Sequence, residues 1–432
     1  MTNRTIKDYP SLVYANEKGE IFDYHGLHMA GRSGFDLFCP DIEDLIPLPY
    51  GSELFIIPDS IPIAWDPYQN DFVLFDTELP NKGGQALAVA AFMAPAYTQT
   101  ALCAFERDEK APPLPLFAYT AVGWWKGRFW VAGFRSDKDK RQDIRGFKQK
   151  EVIKKTKKLA QKFKNNKLVQ HLAKCSLTYG CPAAKNFFLR RFEAPLPTSP
   201  TCNARCLGCL SLQTKDGPPP TQDRIAFVPS AREIKEVALL HLKSVKNAVV
   251  SFGQGCEGEP LLQHELLSKS INLIRKEYKG GTINLNSNSS LPNAIPSLKQ
   301  NGLDSIRISL NSVFMDYYHA YYRPKGYCFD HVLQTWQIAK EQGLHVSLNL
   351  FVLPGFTDLK THVDKLSELI DRFGLDLIQL RNHNIDPIWY LKKIKFQKKN
   401  KEEAIGIKNM VKLLKKRFPQ LKFGYFNPPI RE

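Results

Sequence analysis

The sequence predicts an α/β protein in which a β-rich N-terminal domain precedes an open, partial (β/α)6 barrel of the TIM-like kind. From about residue 193 onward, short apolar runs typical of strands alternate with longer amphipathic runs typical of helices. Short connections between these runs favour a parallel sheet with helical crossovers. Six strand–helix units are too few to close a barrel of eight, so the sheet is expected to stay open.

The barrel strands are predicted where apolar runs are bounded by turn residues. Three of the helices between them carry end signals, namely Ser230 as an N-cap and Gly343 and Gly374 as C-terminal glycines. Helical runs at 261–278 and 292–300 fill the remaining gaps. The predicted strands are residues 194–200, 248–253, 282–287, 305–310, 346–353 and 376–380.

The first 145 residues contain short apolar or alternating runs punctuated by Asp, Gly and Pro, a pattern typical of strands. Residues 124–130 predict a hairpin with Gly127 in its turn. Its aromatic side chains could line a ligand groove, but cross-strand core pairs are the favoured interpretation. The runs are residues 54–57, 72–75, 86–92, 116–121 and 129–134.

Two further segments complete the predicted organisation. Residues 149–174 have an apolar helical stripe with an interruption expected at Asn165-Asn166, followed by Cys175 and Cys181. The tail combines a lysine-rich stretch, a helix around Ile407, Met410, Val411 and Leu414, and an edge strand at 421–426. The predicted divisions are a β-rich domain at 1–145, a basic helical connector at 146–192, the barrel at 193–390 and a basic extension at 391–432.

Composition excludes several classes. The chain has 432 residues, 43% of them hydrophobic, which suits two or three packed domains and not a disordered or fibrous protein. Its longest apolar run, 86–96, is shorter than the about 20 residues that span a bilayer, and the N-terminus has no signal-peptide core. We therefore expect no membrane partner and a cytoplasmic location, where nine cysteines act as metal ligands or reactive groups and not as disulfides.

The net charge of +17 has two interpretations. The excess of lysine concentrates at 148–167 and 392–422, and both stretches have helical apolar spacing, so solvated outer faces are favoured. The alternative is an anionic partner such as RNA.

The densest chemistry lies in residues 201–211, TCNARCLGCLS, where Cys202, Cys206 and Cys209 have C-x-x-x-C-x-x-C spacing. Thiolates suit zinc or iron–sulfur centres. Structural zinc requires four ligands, and the sequence has no matching second pair nearby. Three cysteines instead leave one iron of a [4Fe–4S] cube open to a small-molecule ligand.

This spacing resembles the hallmark of the radical S-adenosylmethionine (SAM) superfamily. Four later stretches resemble that family's conserved strand ends in the right order: 251–260 (SFGQGCEGEP), 286–289 (NSNS), 309–312 (SLNS) and 353–358 (LPGFTD). Each lies at the carboxyl end of a predicted strand, which is the face on which parallel β/α barrels build their sites.

The resemblance implies a radical SAM enzyme with a [4Fe–4S] cluster and SAM as cofactors. Cys202, Cys206 and Cys209 would hold three irons, and an external donor of the flavodoxin or ferredoxin type would supply an electron. SAM would then yield a 5′-deoxyadenosyl radical, which abstracts hydrogen from an unidentified substrate. RNA, a peptide or protein, and a small metabolite all remain open as that substrate.

The resemblance also assigns cofactor-binding roles. Residues Gly258, Glu259 and Pro260 would bind the methionine amino group, although a G-E-P triplet alone also fits an ordinary turn. Ser287, Asn288 and Asn311 would bind the ribose or the methionine carboxylate, with strand-end capping as the alternative. Arg381 and Asn382 would hold a SAM or substrate carboxylate, with a surface salt bridge as the alternative.

Three features depart from the family pattern. Gly208 stands where an aromatic residue is usual. Cys256 interrupts the G-E-P stretch, either as a packed side chain, as a ligand of a second cluster, or as a catalytic thiol. Cys175 and Cys181 could join such an auxiliary cluster. A zinc-stabilised basic protein that binds RNA without catalysis remains the competing interpretation of the whole chain.

Overall fold

The computed structural model describes residues 8–79, 84–215, 217–397 and 402–431. Its N-terminal region is all antiparallel, with eleven strands in one curved sheet and three in another. The strands are β1 (Ser11–Ala15), β2 (Ile21–Met29), β3 (Gly31–Ser33), β4 (Asp36–Phe38), β5 (Leu45–Pro47), β6 (Glu53–Ile56), β7 (Ser60–Asp66), β8 (Asp71–Leu74), β9 (Leu87–Phe92), β10 (Tyr97–Gln99), β11 (Leu102–Cys103), β12 (Phe105–Arg107), β13 (Val122–Trp125) and β14 (Arg128–Arg135).

Three helices connect this region to the second half of the chain, which alternates strands and helices. The connector helices are α1 (Gln149–Lys162), α2 (Lys167–Leu177) and α3 (Pro182–Leu189). The remaining elements are β15 (Glu193–Pro195), α4 (Ala231–Leu242), β16 (Val249–Phe252), α5 (His264–Glu277), β17 (Thr282–Ser287), α6 (Ile295–Asn301), β18 (Ser305–Leu310), α7 (Met315–Tyr322), α8 (Phe329–Glu341), β19 (His345–Val352), α9 (Lys360–Phe373), β20 (Leu377–Asn382), α10 (Pro387–Lys393), α11 (Ile407–Arg417) and β21 (Lys422–Gly424).

Strands β15 to β21 form one sheet in sequence order, and every neighbouring pair is parallel. Because consecutive parallel strands need crossovers, helices α4, α5, α6, α8 and α9 cover the outer face and bury its aliphatic side chains. The predicted open α/β barrel is therefore confirmed. The predicted edge strand of the tail joins it as β21, a seventh parallel strand beside β20.

The chain after β21 and a segment after β14 line the open side of the sheet. Arg141 donates to the carbonyl of Asn427 at 2.8 Å and lies 3.4 Å from the Glu193 carboxylate. The Asn427 amide donates to Glu193 at 2.8 Å, and its oxygen accepts from Gln379 at 2.9 Å. These contacts join β15 to β20 through the tail, so the lumen is bounded where strands alone would leave a gap.

The N-terminal region packs against the carboxyl ends of β19 and β20. The backbone N–H of Gly34 donates to the Pro354 carbonyl at 2.8 Å. The Asn382 side chain accepts from the Gln99 N–H at 2.9 Å and donates to the Tyr97 carbonyl at 3.0 Å. This region therefore borders the barrel mouth, and Asn382 serves as one of its attachment points.

Several local predictions are confirmed, and one is wrong. Trp124 and Phe129 form an edge-to-face pair across the predicted hairpin, with ring centroids 4.8 Å apart. Asn166 caps α2 by accepting from Val169, which explains the break between the connector helices. Residues 116–121 are not a strand: prolines directly precede the run, and only Thr120 makes isolated bridges, to Ala91 and Leu102.

Most of the described lysines of the two clusters lie on solvent-exposed helix faces, as the favoured interpretation of the charge predicts, whereas Lys398, Lys399 and Lys401 lie outside the described residues. In α11 the buried residues are Ile407, Met410, Val411 and Leu414, and the lysines occupy the opposite side. Among the described residues, every helix is too short or too polar to cross a bilayer. The three division points at 145, 192 and 390 stay predictions.

Candidate radical SAM site

The cysteine triplet, meaning Cys202, Cys206 and Cys209, lies on the loop that follows β15. The loop is fixed by backbone hydrogen bonds to the end of α7, from Arg205 N–H to the Tyr322 carbonyl at 2.8 Å and from Leu207 N–H to the Tyr321 carbonyl at 3.1 Å. All three thiols are free and half-buried. A short, pinned loop with three free thiols suits a metal centre.

The charged side chains that act on Cys202 and Cys206 include Glu259, Arg224 and Arg323. Burial raises the pKa of the Cys202 thiol to about 11 and raises the pKa of Cys206 well above its usual value. Bound iron would supply the positive charge that favours the thiolates. Arg224 donates to the Cys209 sulfur at 3.3 Å and to Ser211 at 3.2 Å. Sequence reasoning missed Arg224, which follows the triplet after a loop with no spacing signal.

The G-E-P stretch lies directly against the cysteine loop. Gly258 N–H donates to the Ser199 carbonyl at 2.6 Å, and Glu259 N–H donates to the Thr201 carbonyl at 2.9 Å. A Cβ on Gly258 would lie 1.9 Å from the Thr201 carbonyl oxygen, a distance that no side chain tolerates. Glycine is therefore required for this approach, which places the two stretches side by side.

Glu257, which sequence reasoning did not single out, ties the same two segments together. Its carboxylate is 4% exposed and accepts from the N–H groups of Thr198 and Ser199 at 2.7 and 3.0 Å. The other oxygen accepts from the N–H groups of Gly253 and Gln254 at 2.7 and 2.8 Å. Burial raises the pKa of this carboxyl. The end of β16 is thus linked to the loop that leads into the triplet.

Glu259 links the G-E-P stretch to the carboxyl end of β17. Its carboxylate accepts from the Ser287 hydroxyl at 2.6 Å and from the N–H of Asn288 at 2.8 Å, and burial raises its pKa to about 7. The Asn288 amide donates to Asn203, on the cysteine loop, at 2.8 Å. Pro260 starts the following 3₁₀ turn. The predicted residues from G-E-P and from β17 are therefore brought together, with Asn203 as a member that the sequence did not reveal.

Asn311 and Arg381 lie at the ends of the next strands and retain unused polar atoms. Asn311 is 1% exposed and donates to Tyr390 and to the Tyr317 carbonyl, while its Oδ1 has no partner within the described chain. Arg381 stacks on Tyr425 with its guanidinium 3.7 Å from the ring centroid, and its Nε has no partner among the described residues. Both keep capacity for a ligand.

The departure at Gly208 has a steric explanation. A Cβ there would lie 2.5 Å from Ile385 and 3.2 Å from the Tyr321 hydroxyl. Ile385 and Tyr321 therefore fill the space beside the third cysteine, where the family usually places an aromatic side chain. The loop needs glycine because its neighbours supply the apolar contact.

Below the mouth, the lumen is polar and carries two arginines. Arg307, on β18, donates to Gln379 across the lumen at 3.0 Å, and its Nε has no partner among the described residues. Burial, together with nearby Arg381, lowers the pKa of Arg307 to about 9. Asn349, on β19, has a buried Oδ1 that is also unpartnered in the described chain. The lumen therefore combines excess positive charge with unused hydrogen-bonding atoms.

A second set of thiols meets on the flank of the barrel. The ligand atoms of His171, Cys175 and Cys256 all lie within 4.8 Å of one another, and Cys181 packs against the same cluster. The Cys256 thiol, as a hydrogen-bond donor, lowers the pKa of Cys175 to about 5. His171 was missed, although its position four residues before Cys175 on one helix is a recognisable ligand spacing. The catalytic role considered for Cys256 stays a prediction.

Part of this chain is similar to a known protein family. Residues 196–370 match the family model of the radical SAM superfamily. No curated protein sequence matches. Solved structures that align include the FeFe-hydrogenase maturase HydG from Carboxydothermus hydrogenoformans (14% identity, 64% of this chain and 70% of that one, TM-score 0.38), methylornithine synthase PylB (14%, 57% and 68%, 0.38) and anSMEcpe with bound AdoMet (16%, 54% and 64%, 0.39).

The matched region contains the cysteine triplet, the G-E-P stretch and the ends of β17, β18 and β19. Its open parallel sheet brings these stretches to one face. Residues 196–370 of this chain are therefore similar to the radical SAM superfamily of enzymes.

Proposed function

We propose that this enzyme uses a [4Fe–4S] cluster on Cys202, Cys206 and Cys209 to cleave SAM reductively, and that it acts on a substrate with an anionic group. When bound, the cluster and SAM would supply a 5′-deoxyadenosyl radical that removes a hydrogen atom from the substrate. The electron would come from an external donor of the flavodoxin or ferredoxin type.

The single observation that carries the proposal is the set of hydrogen bonds that joins the cysteine loop to the ends of the neighbouring strands. Gly258 and Glu259 bond to the backbone just before Cys202, and Glu259 in turn bonds to Ser287 and Asn288. A ligand held at G-E-P would therefore lie beside the triplet. The chain's own residues orient that ligand and require no rearrangement of the backbone.

The roles of the remaining site residues follow from which of their polar atoms already have hydrogen-bond partners in the described chain. The Asn311 Oδ1 could accept a hydrogen bond from a SAM hydroxyl or amine, and Arg381 could donate to a carboxylate. In this proposal Ser287 and Asn288 act mainly by positioning Glu259 and Asn203, because their own polar atoms are engaged.

The anionic substrate is argued from the lumen. Arg307 lies deeper in the barrel than Arg381, and SAM brings only one carboxylate to the site. Two neighbouring guanidinium groups repel each other, and Glu193, the carboxylate that partly offsets this repulsion at Arg307, is already engaged by Arg141. A substrate carboxylate or phosphate that reaches Arg307 would offset that cost, and the Asn349 amide could accept from its donor groups.

The radical chemistry is tested with protein reconstituted anaerobically with iron and sulfide. We expect broad absorption near 400 nm that bleaches with dithionite, and 5′-deoxyadenosine when SAM is added. Cys206→Ala should lose the iron and the product, whereas Cys103→Ser, a buried thiol in the N-terminal region, should keep both. A colourless protein that retains no iron and forms no 5′-deoxyadenosine would refute the proposal.

The substrate class is tested with SAM deuterated at C5′ and a metabolite extract divided by anion exchange. The anion-binding fraction should contain the compound that increases the yield of dideuterated 5′-deoxyadenosine, whose third 5′-hydrogen is the atom abstracted from that compound. Arg307→Gln should weaken that turnover while leaving the slow, substrate-free cleavage of SAM unchanged. Turnover confined to the neutral or cationic fraction would show that the lumen arginines do not select an anion.

A further inference from the structure

Three potential metal ligands come together outside the proposed catalytic site, with a fourth thiol packed beside them, and three separate segments contribute these residues. His171 and Cys175 are one helical turn apart on α2, Cys181 is the N-cap of α3, and Cys256 lies in the loop after β16. The sulfur of Cys175 is 3.5 Å from Nε2 of His171. We refer to these four residues as the second thiol group.

The second thiol group is compact and shielded. The ligand atoms of His171, Cys175 and Cys256 lie within 4.8 Å of one another, and Cys175 and Cys256 are 1% and 5% exposed. Cys181 packs against the buried cluster that contains both cysteines, and its N–H donates to the Cys175 carbonyl at 3.0 Å. Two thiols and an imidazole therefore stand at ligand separations, and the Cys181 thiol, which lies outside that 4.8 Å group, would have to turn toward them to complete a Cys₃His set.

These separations favour a single ion over an iron–sulfur cluster. In a tetrahedral zinc site the ligand atoms lie about 3.5 to 3.8 Å apart, given Zn–S and Zn–N bonds of about 2.3 and 2.0 Å. The observed upper limit of 4.8 Å leaves only a small contraction to reach that geometry. Cysteines of an iron–sulfur cube each bind a different iron and therefore stand farther apart.

We propose that the second thiol group binds one zinc ion that joins the connector helices to the loop carrying the G-E-P stretch. Cys256 directly precedes Glu257, whose carboxylate fixes the loop before the triplet. The Cys256 carbonyl also accepts from the N–H of Ile225 at 2.7 Å. The ion would therefore be structural, with four protein ligands and no open position, and its presence does not depend on the proposed radical chemistry.

Zinc binding is measured on a C202A/C206A/C209A variant, so that iron at the triplet cannot interfere. We expect one zinc per chain by elemental analysis after purification in zinc-containing medium. Cobalt should replace it and produce thiolate charge-transfer bands with the visible bands of a tetrahedral ion.

Adding Cys256→Ser should reduce the zinc content to less than about a tenth of an equivalent, while Cys103→Ser should not change it. His171 is half-buried, so His171→Asn should fold and should bind zinc at least about tenfold more weakly in competition with a chelator. No zinc in the triplet variant, iron and sulfide retained there, or a Cys175–Cys256 disulfide in anaerobically purified protein would each overturn the proposal. Formation of 5′-deoxyadenosine by the otherwise unaltered protein is scored separately.

Discussion

The cysteine triplet and the second thiol group use the same ligand chemistry in opposite arrangements. The triplet places its three thiols within eight residues of one loop, and in our proposal a fourth position there is taken by a small molecule. The second thiol group takes its ligands from α2, α3 and the loop after β16, and it is enclosed. Openness fits a site where chemistry occurs, whereas closure by four protein ligands fits a structural role.

The two sites nevertheless meet through one short stretch of chain. Cys256, Glu257, Gly258 and Glu259 are consecutive, and they contact the second thiol group, the backbone before the triplet, the triplet loop itself and the end of β17 in turn. This stretch transmits the position of the connector to the catalytic side. We therefore predict that substitutions in the triplet abolish SAM cleavage, whereas substitutions in the second thiol group mainly lower local stability.

The largest effect is expected at the triplet. Cys206→Ala should lower the rate of 5′-deoxyadenosine formation by at least about 10³-fold, equivalent to roughly 4 kcal/mol of activation free energy, because one iron loses its protein ligand. Zinc content should remain at one per chain. Iron content, zinc content and 5′-deoxyadenosine formation should be measured on the same preparation. Loss of both iron and zinc would show that the two sites are not independent.

The second effect is local and structural. Cys175→Ser should raise amide hydrogen exchange across α2 and α3 by up to about 10³-fold, since an ion present at a thousand times its dissociation constant contributes about 4 kcal/mol. The brown colour and iron content should persist. Chelation of zinc from the unmodified protein should reproduce the same exchange pattern, and unchanged protection after chelation would contradict a structural ion.

The third effect tests the stretch between the sites. Gly258→Ala should slow SAM cleavage by about 10²-fold, because its Cβ would collide with the Thr201 carbonyl and displace the two loops by about 1 Å. Gly255→Ala is the matched control: its Cβ would meet only the flexible ends of Gln222 and Leu210. If both variants cleave SAM at the same rate, at equal iron content, the close packing of Gly258 on the cysteine loop does not matter for the reaction.

The sequence predicted the barrel and the triplet because both depend on local patterns. The six apolar runs and the run in the tail correspond to the seven strands of the parallel sheet. The predicted helix ends are also present, as a capping box at Ser230 and a C-cap at Gly374. In the N-terminal region many strands were missed, because several have only two to four residues. Antiparallel pairing across distant segments leaves little periodicity in so short a run.

The parts that could not be predicted depend on contacts between segments distant in sequence. His171 meets Cys256 across 85 residues, and the lumen side of Arg307 follows from strand register, which no composition reveals. Glu257 and Arg224 have the same origin, since each acts on a loop that precedes it in the chain. Of these, Arg224 is the one that distinguishes the environments of the two sites.

The smallest expected effect therefore concerns Arg224. Its guanidinium donates to the Cys209 sulfur at 3.3 Å, and such a hydrogen bond stabilises the reduced, more negative form of a cluster. Arg224→Gln should lower the midpoint potential of the cluster and slow 5′-deoxyadenosine formation by about tenfold, at unchanged iron and zinc content. Arg224→Lys, which keeps the charge, should recover part of the potential. Potentiometric titration followed by electron paramagnetic resonance measures the shift directly, and a midpoint identical in all three proteins would mean that Arg224 only holds Ser211 and the loop.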